Sequence, residues 1–242
     1  MTYPLFLADL ADPLPAVGTS VQLSGDEGRH AVVVRRIQVG EVVALSDGRG
    51  RGVRGPVVQV GKAALQVQVT EHLSAPDSGV HWVAAQALAK GDRSELAIEM
   101  MTEMGVSEIL PWSSARSVVR WSGERGEKAL ARWRATVREA AKQSRRLMVP
   151  VVGEPVSTRQ LAAAVAAADL AVVLHEEAPE SLATLAVPAG GTVLVVIGPE
   201  GGITPEEIDT LVGAGAHLAR ISDGVLRTST AGVVALAGLM LR

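Results

Sequence analysis

Ile197-Gly198-Pro199-Glu200-Gly201-Gly202-Ile203-Thr204-Pro205-Glu206-Glu207 is the stretch on which the fold of this chain turns. The apolar run Val193-Leu194-Val195-Val196-Ile197 leads straight into it, as a strand buried on both faces of a parallel sheet would. Glycines then break the pattern, and a helix opens on the far side. Thr204 suits the N-cap, Pro205 the first helical position, and Glu207 completes a capping box three residues after Thr204. In parallel α/β sheets the crevice beyond the strand ends is where ligands bind. Two readings stand at this point. The loop either lets a ligand approach bare backbone, or is an ordinary turn that needs glycine for a positive φ.

Working outward, Leu170-Ala171-Val172-Val173-Leu174 is a second continuous apolar run. Between Arg93 and Met104 the residues Leu96, Ala97, Met100, Met101 and Met104 recur at helical spacing, and Gly105 is a natural C-terminal stop. Strands alternating with helices predict an α/β domain with a parallel sheet over residues 80–242. Residues 1–72 read differently. Val42–Leu45, Val57–Val60 and the strictly alternating Leu65–Val69 are short strands separated by turns, which predicts a small β-barrel. Residues 73–79, with Ser74-Ala75-Pro76-Asp77-Ser78-Gly79, read as the linker.

Past the second run lies Ala219-Arg220-Ile221-Ser222-Asp223-Gly224-Val225-Leu226-Arg227-Thr228-Ser229-Thr230, which reads as strand and polar loop. A helix from about Ala231 then stays uncharged through Leu241. A helix apolar all round is buried, here inside the protein or in a subunit interface. Arg227 at its start is either solvated or holds an anionic group.

Several functions are excluded by what is missing. The chain has no cysteine, so disulfides and thiolate metal sites are ruled out, and His30, His72, His81, His175 and His217 lack metal-ligand spacing; no metal is expected. Gly50-Arg51-Gly52-Val53-Arg54-Gly55 matches a dinucleotide fingerprint by letter, but Pro56 and an alternating strand follow where a helix must open. It is expected to be a barrel turn, which disfavours a Rossmann oxidoreductase. No G-x-S-x-G stretch supports a hydrolase. The start lacks the basic end and long apolar stretch of a signal peptide, and no run spans a bilayer, so a cytoplasmic protein without a membrane is expected.

Net charge is −3, which alone argues against a nucleic-acid partner. The distribution argues the other way: from Lys90 to Arg146, 12 Lys and Arg stand against 8 Asp and Glu, whereas from Leu147 to Arg242 it is 4 against 10. A local basic field binds phosphate whatever the total. On a helix predicted from about Gly126 to Arg146, Arg134, Arg138, Lys142 and Arg145 share one face beside the apolar Leu130, Trp133, Val137 and Ala141. The reading is a phosphate-tracking surface, which Arg35, Arg36 and Arg54 of the barrel extend and with which Arg93 is counted.

Together, Ile197–Gly202 and Val225–Ala231 resemble the cofactor loops of the ribosomal RNA small subunit methyltransferase E family, in the SPOUT superfamily. His30–Arg36 followed by Gly40-Glu41 resembles its N-terminal signature, and Lys90-Gly91-Asp92-Arg93 with Thr102–Val106 its central one. Pro111–Arg120 and Glu139–Pro150 also fit, in order along most of the chain.

That resemblance implies a PUA-like, RNA-binding β-barrel followed by a SPOUT-type parallel sheet with a deep trefoil knot. It implies a homodimer that binds S-adenosyl-L-methionine and methylates N3 of a specific uridine of 16S rRNA, within the small ribosomal subunit. By position, Leu174, His175 and Glu176 would line the cofactor pocket with Ile197, Gly198, Pro199, Glu200, Gly201 and Gly202. Ile221, Ser222, Val225, Leu226, Arg227, Ser229 and Thr230 would complete it. Arg227 is the candidate for steadying negative charge on the uracil oxygens, and Glu200 for removing the N3 proton. The sequence departs from the family pattern at Ser229, where a Glu is common, at Met100, where a Lys is, and at Ala115, where an acid is. No family role is carried onto those positions. The rival reading is a non-catalytic RNA-binding protein with a SPOUT-like fold.

Overall fold

The computed structural model describes residues 3–241. The chain forms two compact units, Met1–Pro76 with Ala141–Val149, and Asp77–Ala140 with Pro150–Arg242.

In the first unit the elements are β1 (Leu5–Leu7), β2 (Ser20–Leu23), the short helix α1 (Gly25–Arg29) running into a wide turn at His30–Val34, β3 (Val42–Ser46), β4 (Arg51–Val60), β5 (Leu65–Gln68) and β6 (Glu71–Ser74). The strands run in the order β1-β3-β4-β5-β2, with β6 also on β4. The long β4 pairs with β3 and β6 through its first half and with β5 through its second, past a bulge between Val57 and Gln59. A bulge bends the strand that carries it, and the sheet curls around Phe6, Leu45, Val53, Leu65 and Val67, all buried. One expectation needs correcting. Arg51–Gly55 is not a turn but the first half of β4. Its glycines answer a packing demand: a Cβ at Gly52 would lie 2.6 Å from the Leu45 carbonyl, and one at Gly55 would run into that of Gln68.

The second unit contains β7 (Val80–Ala87), α2 (Arg93–Met104), β8 (Glu108–Trp112), α3 (Gly123–Gln143, its last residues counted with the first unit), β9 (Val151–Val152), α4 (Thr158–Ala167), β10 (Leu170–Leu174), β11 (Glu180–Ser181), β12 (Gly191–Ile197), α5 (Pro205–Gly213), β13 (His217–Arg220) and α6 (Thr228–Met240). The sheet order is β11-β13-β10-β12-β7-β8-β9, and every pairing in it is parallel. Alternate residues of its central strands serve opposite faces. Val83, Ala85, Leu194 and Val196 pack with Leu161 and Val165 of α4 and Leu211 of α5. On the other face α6 lies so close that a Cβ at Gly232 would come within 2.5 Å of Met101 Sδ in α2 and 3.4 Å of Ile197 Cγ1.

The apolar terminal helix is therefore inserted into its own unit. Ala231, Gly232, Ala235, Leu236 and Leu239 are buried, while Val234 is 40% and Leu241 84% exposed. Because all strands are parallel, β7, β10, β12 and β13 end along one edge of the sheet, at Ala87, Leu174, Ile197 and Arg220. Among the described residues no helix is long and apolar enough to cross a membrane.

Candidate functional site

A cavity of about 330 Å³ opens at that edge, at the lower end of the range of roughly 300–1,000 Å³ usual for small-molecule sites. Three loops build it: 174–176 after β10, 197–203 after β12, and 221–228 between β13 and α6. Of the positions assigned to the cofactor by resemblance, all but Gly201, Ser229 and Thr230 lie on its wall. Ser229 is buried in the first turn of α6, and the Thr230 hydroxyl donates to the Arg227 carbonyl at 3.2 Å. A Cβ at Gly201 would point at Arg116, 3.2 Å from its Cβ and 3.3 Å from its carbonyl oxygen, so this glycine is explained by the neighbouring loop. The wall also includes Arg93, Ile203, Gly224, Thr228 and Ala231, which the sequence reading did not place there.

The glycine loop has the local form its sequence dictates. The Thr204 hydroxyl accepts from Glu207 N, the Glu207 carboxylate accepts from Thr204 N, and Pro205 occupies the first turn. Gly202 closes the loop with φ +75°, the left-handed region that favours glycine, and its N–H donates to the Pro199 carbonyl at 3.0 Å. Beneath the loop lies Gln86, the lone polar residue in the second half of β7 and 0% exposed. Its Nε2 donates to Thr228 Oγ1 at 3.0 Å and to the Ala87 carbonyl at 3.1 Å, and the Thr228 hydroxyl donates to the Gly198 carbonyl at 2.8 Å. Gln86 Oε1 is buried and has no partner among the described residues. A polar side chain in the otherwise apolar second half of a central strand was the one sequence signal that pointed to this tie.

Charged groups surround the opening. Glu200 Oε1 accepts from the Lys90 backbone N–H at 3.3 Å and from Arg93 Nη1 at 3.4 Å, which brings the start of α2 onto the glycine loop. Arg93, grouped with the RNA contacts by sequence, thus stands on the cavity wall. Arg227 lines the cavity at the N-cap of α6, where its carbonyl accepts from Thr230 N and Ala231 N at 2.9 and 3.0 Å. From the other side Arg116 Nη1 donates to the Gly201 carbonyl at 3.2 Å. Glu206 is held below its ordinary carboxylate value by its own backbone N–H and the Thr204 hydroxyl, with the Arg116 charge adding to them.

The basic face expected on α3 is different in the structure. The helix ends at Gln143, so Arg145 lies beyond it, with φ +58°. Lys142 is turned inward, its side chain 6% exposed and its Nζ 2.7 Å from Glu27 Oε1. Arg134 is paired with Glu154 at 2.9 Å and donates to the Val152 carbonyl. Arg54 is matched by Glu71 and lies over the Tyr3 ring. Arg138 and Arg145, and Arg35 and Arg36 of the first unit, are exposed. The apolar stripe is as expected, with Leu130, Trp133, Val137 and Ala141 all buried. No group of three or more His, Cys, Asp or Glu is placed to hold a metal ion among the described residues.

Comparison with known proteins accounts for this arrangement. A model of the RNA methyltransferase domain matches residues 76–240, and a model of the RNA methyltransferase PUA domain matches residues 23–70. The chain is 45% identical over 229 residues to the ribosomal RNA small subunit methyltransferase E of Mycobacterium bovis, covering 93% of this chain and 87% of that one. It is 30% identical to the Bacillus subtilis protein of the same name, covering 90% and 88%. The crystal structure of a ribosomal RNA small subunit methyltransferase E from Neisseria gonorrhoeae, bound to S-adenosyl methionine, superposes with a TM-score of 0.86 at 26% identity, covering 99% and 98%. This chain belongs to the ribosomal RNA small subunit methyltransferase E family.

Proposed function

We propose that this protein transfers the methyl group of S-adenosylmethionine to N3 of a specific uridine of 16S rRNA. The observation that carries the reading is the cavity at the strand ends, walled by the two segments that resemble the cofactor loops of the family and by the 174–176 loop that the resemblance assigns by position. Apolar side chains such as Leu174, Ile197, Val225 and Leu226 suit the adenine ring and methylene stem of the cofactor. The bare backbone of the glycine loop, with Glu176, Glu200, Arg93 and Arg227, suits its polar and charged ends. An intact cavity of this kind favours an enzyme over a non-catalytic RNA-binding protein. When bound, the cofactor supplies an electrophilic methyl on a sulfonium leaving group.

The protein's own work is then positioning and charge. Uridine N3 lies on the pairing edge and carries a proton, so the base is presented unpaired or flipped out. In this reading Arg227 steadies the negative charge that develops on the uracil oxygens, and Glu200, whose carboxylate is held by Lys90 N and Arg93, takes the proton. Alignment of acceptor and methyl in line contributes the rest of the rate.

The same reading assigns RNA binding to the barrel of residues 1–72, joined by 73–79 to the methyltransferase domain of 80–242. Arg35, Arg36, Arg138 and Arg145 are exposed cations that fit phosphate contacts. A trefoil knot around the cofactor loops is what membership of the family implies for this domain. A homodimer is supported by the apolar side chains exposed at Val234 in α6 and at Leu241 just past its end. The protein would act in the cytoplasm on rRNA within the small subunit. Mass mapping of 16S rRNA from a strain lacking the gene tests the assignment: one 3-methyluridine is expected to lose its methyl group, and an unchanged map would refute it.

A further inference from the structure

We infer that the loop of residues 113–121 is a phosphate-binding rim beside the cofactor cavity, where Arg116 and Arg120 grip the RNA strand that carries the target base. The inference rests on the rRNA reading above and extends it to residues that neither the sequence motifs nor the family resemblance had assigned to RNA.

The loop holds two arginines and no acid. Both arginines are exposed, and their hydrogen bonds go to neutral carbonyls: Arg116 to Gly201 at 3.2 Å, Arg120 to Ala115 at 3.0 Å. No carboxylate lies within ion-pair distance of either among the described residues; the Arg116 charge reaches Glu206 only as the smallest of the influences on that carboxyl. Several neighbouring cations of this unit are, by contrast, matched. Arg132 pairs with Glu95 at 2.7 Å, Lys128 with Glu124 at 2.7 Å and Arg134 with Glu154 at 2.9 Å. This loop thus presents two arginines without a counterion and no acid between them, and a polyanion is the partner they complement. Val118, 72% exposed between the two arginines, adds an apolar contact of the kind a ribose or base face takes.

The loop is also held in shape before any partner arrives. Ser114 and Ser117 are buried, with their hydroxyls 3.2 Å apart, and Ser117 N donates to the Ser114 carbonyl. Ala115 N donates at 2.9 Å to the Glu207 carboxylate, which is buried and also accepts from Thr158 Oγ1 and Thr204 N. Glu207 therefore fixes both the cationic loop and the helix that follows the glycine loop. Charges held in place by such an anchor lose little freedom on binding, and they stand next to the cavity into which the base must be delivered.

The test uses the full-length protein and an in-vitro-transcribed 16S rRNA probe, with affinity followed by fluorescence anisotropy across a salt series. The double variant Arg116→Ala/Arg120→Ala is expected to bind at least tenfold more weakly at low salt. Its plot of log affinity against log salt should be shallower by about 0.7–0.9 for each lost contact. Arg116→Lys/Arg120→Lys keeps the charges and should keep the slope, which separates charge from folding. Arg134→Ala, whose charge is already matched by Glu154, should leave the slope unchanged. Wild-type affinity and slope in the alanine double variant would overturn the inference. A wild-type protein that binds no rRNA would instead overturn the rRNA reading on which it rests.

Discussion

Gln86 Nε2 donates to Thr228 Oγ1 at 3.0 Å, and the same hydroxyl donates to the Gly198 carbonyl at 2.8 Å. One hydroxyl group thus ties the end of the central strand to both the terminal helix and the glycine loop. Thr228→Val keeps the shape but leaves the Gly198 carbonyl and the Gln86 amide without it, at about 1–3 kcal/mol for each buried group left unpaired. Cofactor affinity measured by calorimetry is expected to fall roughly tenfold, since each 1.4 kcal/mol is a factor of about ten. Thr228→Ser restores the hydroxyl and should recover most of it. Equal affinity in Thr228→Val and wild type would mean the tie does not shape the pocket.

Arg227 separates binding from chemistry. If its guanidinium meets charge that develops only as the methyl group moves, Arg227→Ala should leave cofactor affinity nearly unchanged. The single-turnover methylation rate should drop roughly 10²–10³-fold, the scale for one lost electrostatic donor. Affinity falling in step with rate would make Arg227 a binding residue only.

Asp47 gives the first unit a pH dependence. Burial alone would raise its carboxyl, but hydrogen bonds from Arg49 N, Arg51 N and Arg51 Nε outweigh that and hold it below its ordinary value. A depressed folded-state value means stability that is fully present above the unfolded value, about 3.9, and lost as pH falls through the folded one. Asp47→Asn is expected to lower stability at pH 7 by about 1–3 kcal/mol. In thermal melts its deficit should shrink below about pH 4. A deficit that stays constant down to pH 2 would contradict this account.

The exposed side chains of Val234 in α6 and of Leu241 just past its end bear on assembly. Light scattering is expected to give about twice the chain mass of 25.1 kDa, and Val234→Glu should shift the protein toward monomer. A monomer at micromolar wild-type concentration would remove the dimer from the account.

What was legible in the sequence was local. The glycine loop, the Thr204–Glu207 capping box and the apolar parallel strands each depend on residues a few positions apart, and all stand as read. What escaped depended on partners far along the chain. Lys142 was taken for a solvent-facing cation, yet its counterion Glu27 lies 115 residues away. Gly201 was taken for a cofactor contact, yet the group it makes room for is Arg116, brought beside it from another loop. Gly55 looked like a turn residue because nothing nearby announces the Gln68 carbonyl pressed against it. Periodicity likewise carries no information on how a chain threads itself, so a knot was implied by resemblance alone.

The most direct test of the central claim is methyl transfer by the purified protein itself. Small ribosomal subunits from a strain lacking the gene would be incubated with the protein and labelled S-adenosylmethionine, and the rRNA digested to nucleosides. Label is expected in 3-methyluridine, close to one per subunit, with none when Gly202→Val protein is used, because a branched side chain at that left-handed position of the cavity wall is strained. Label in another nucleoside, or none with the wild-type protein on either subunits or free 16S rRNA, would contradict the account.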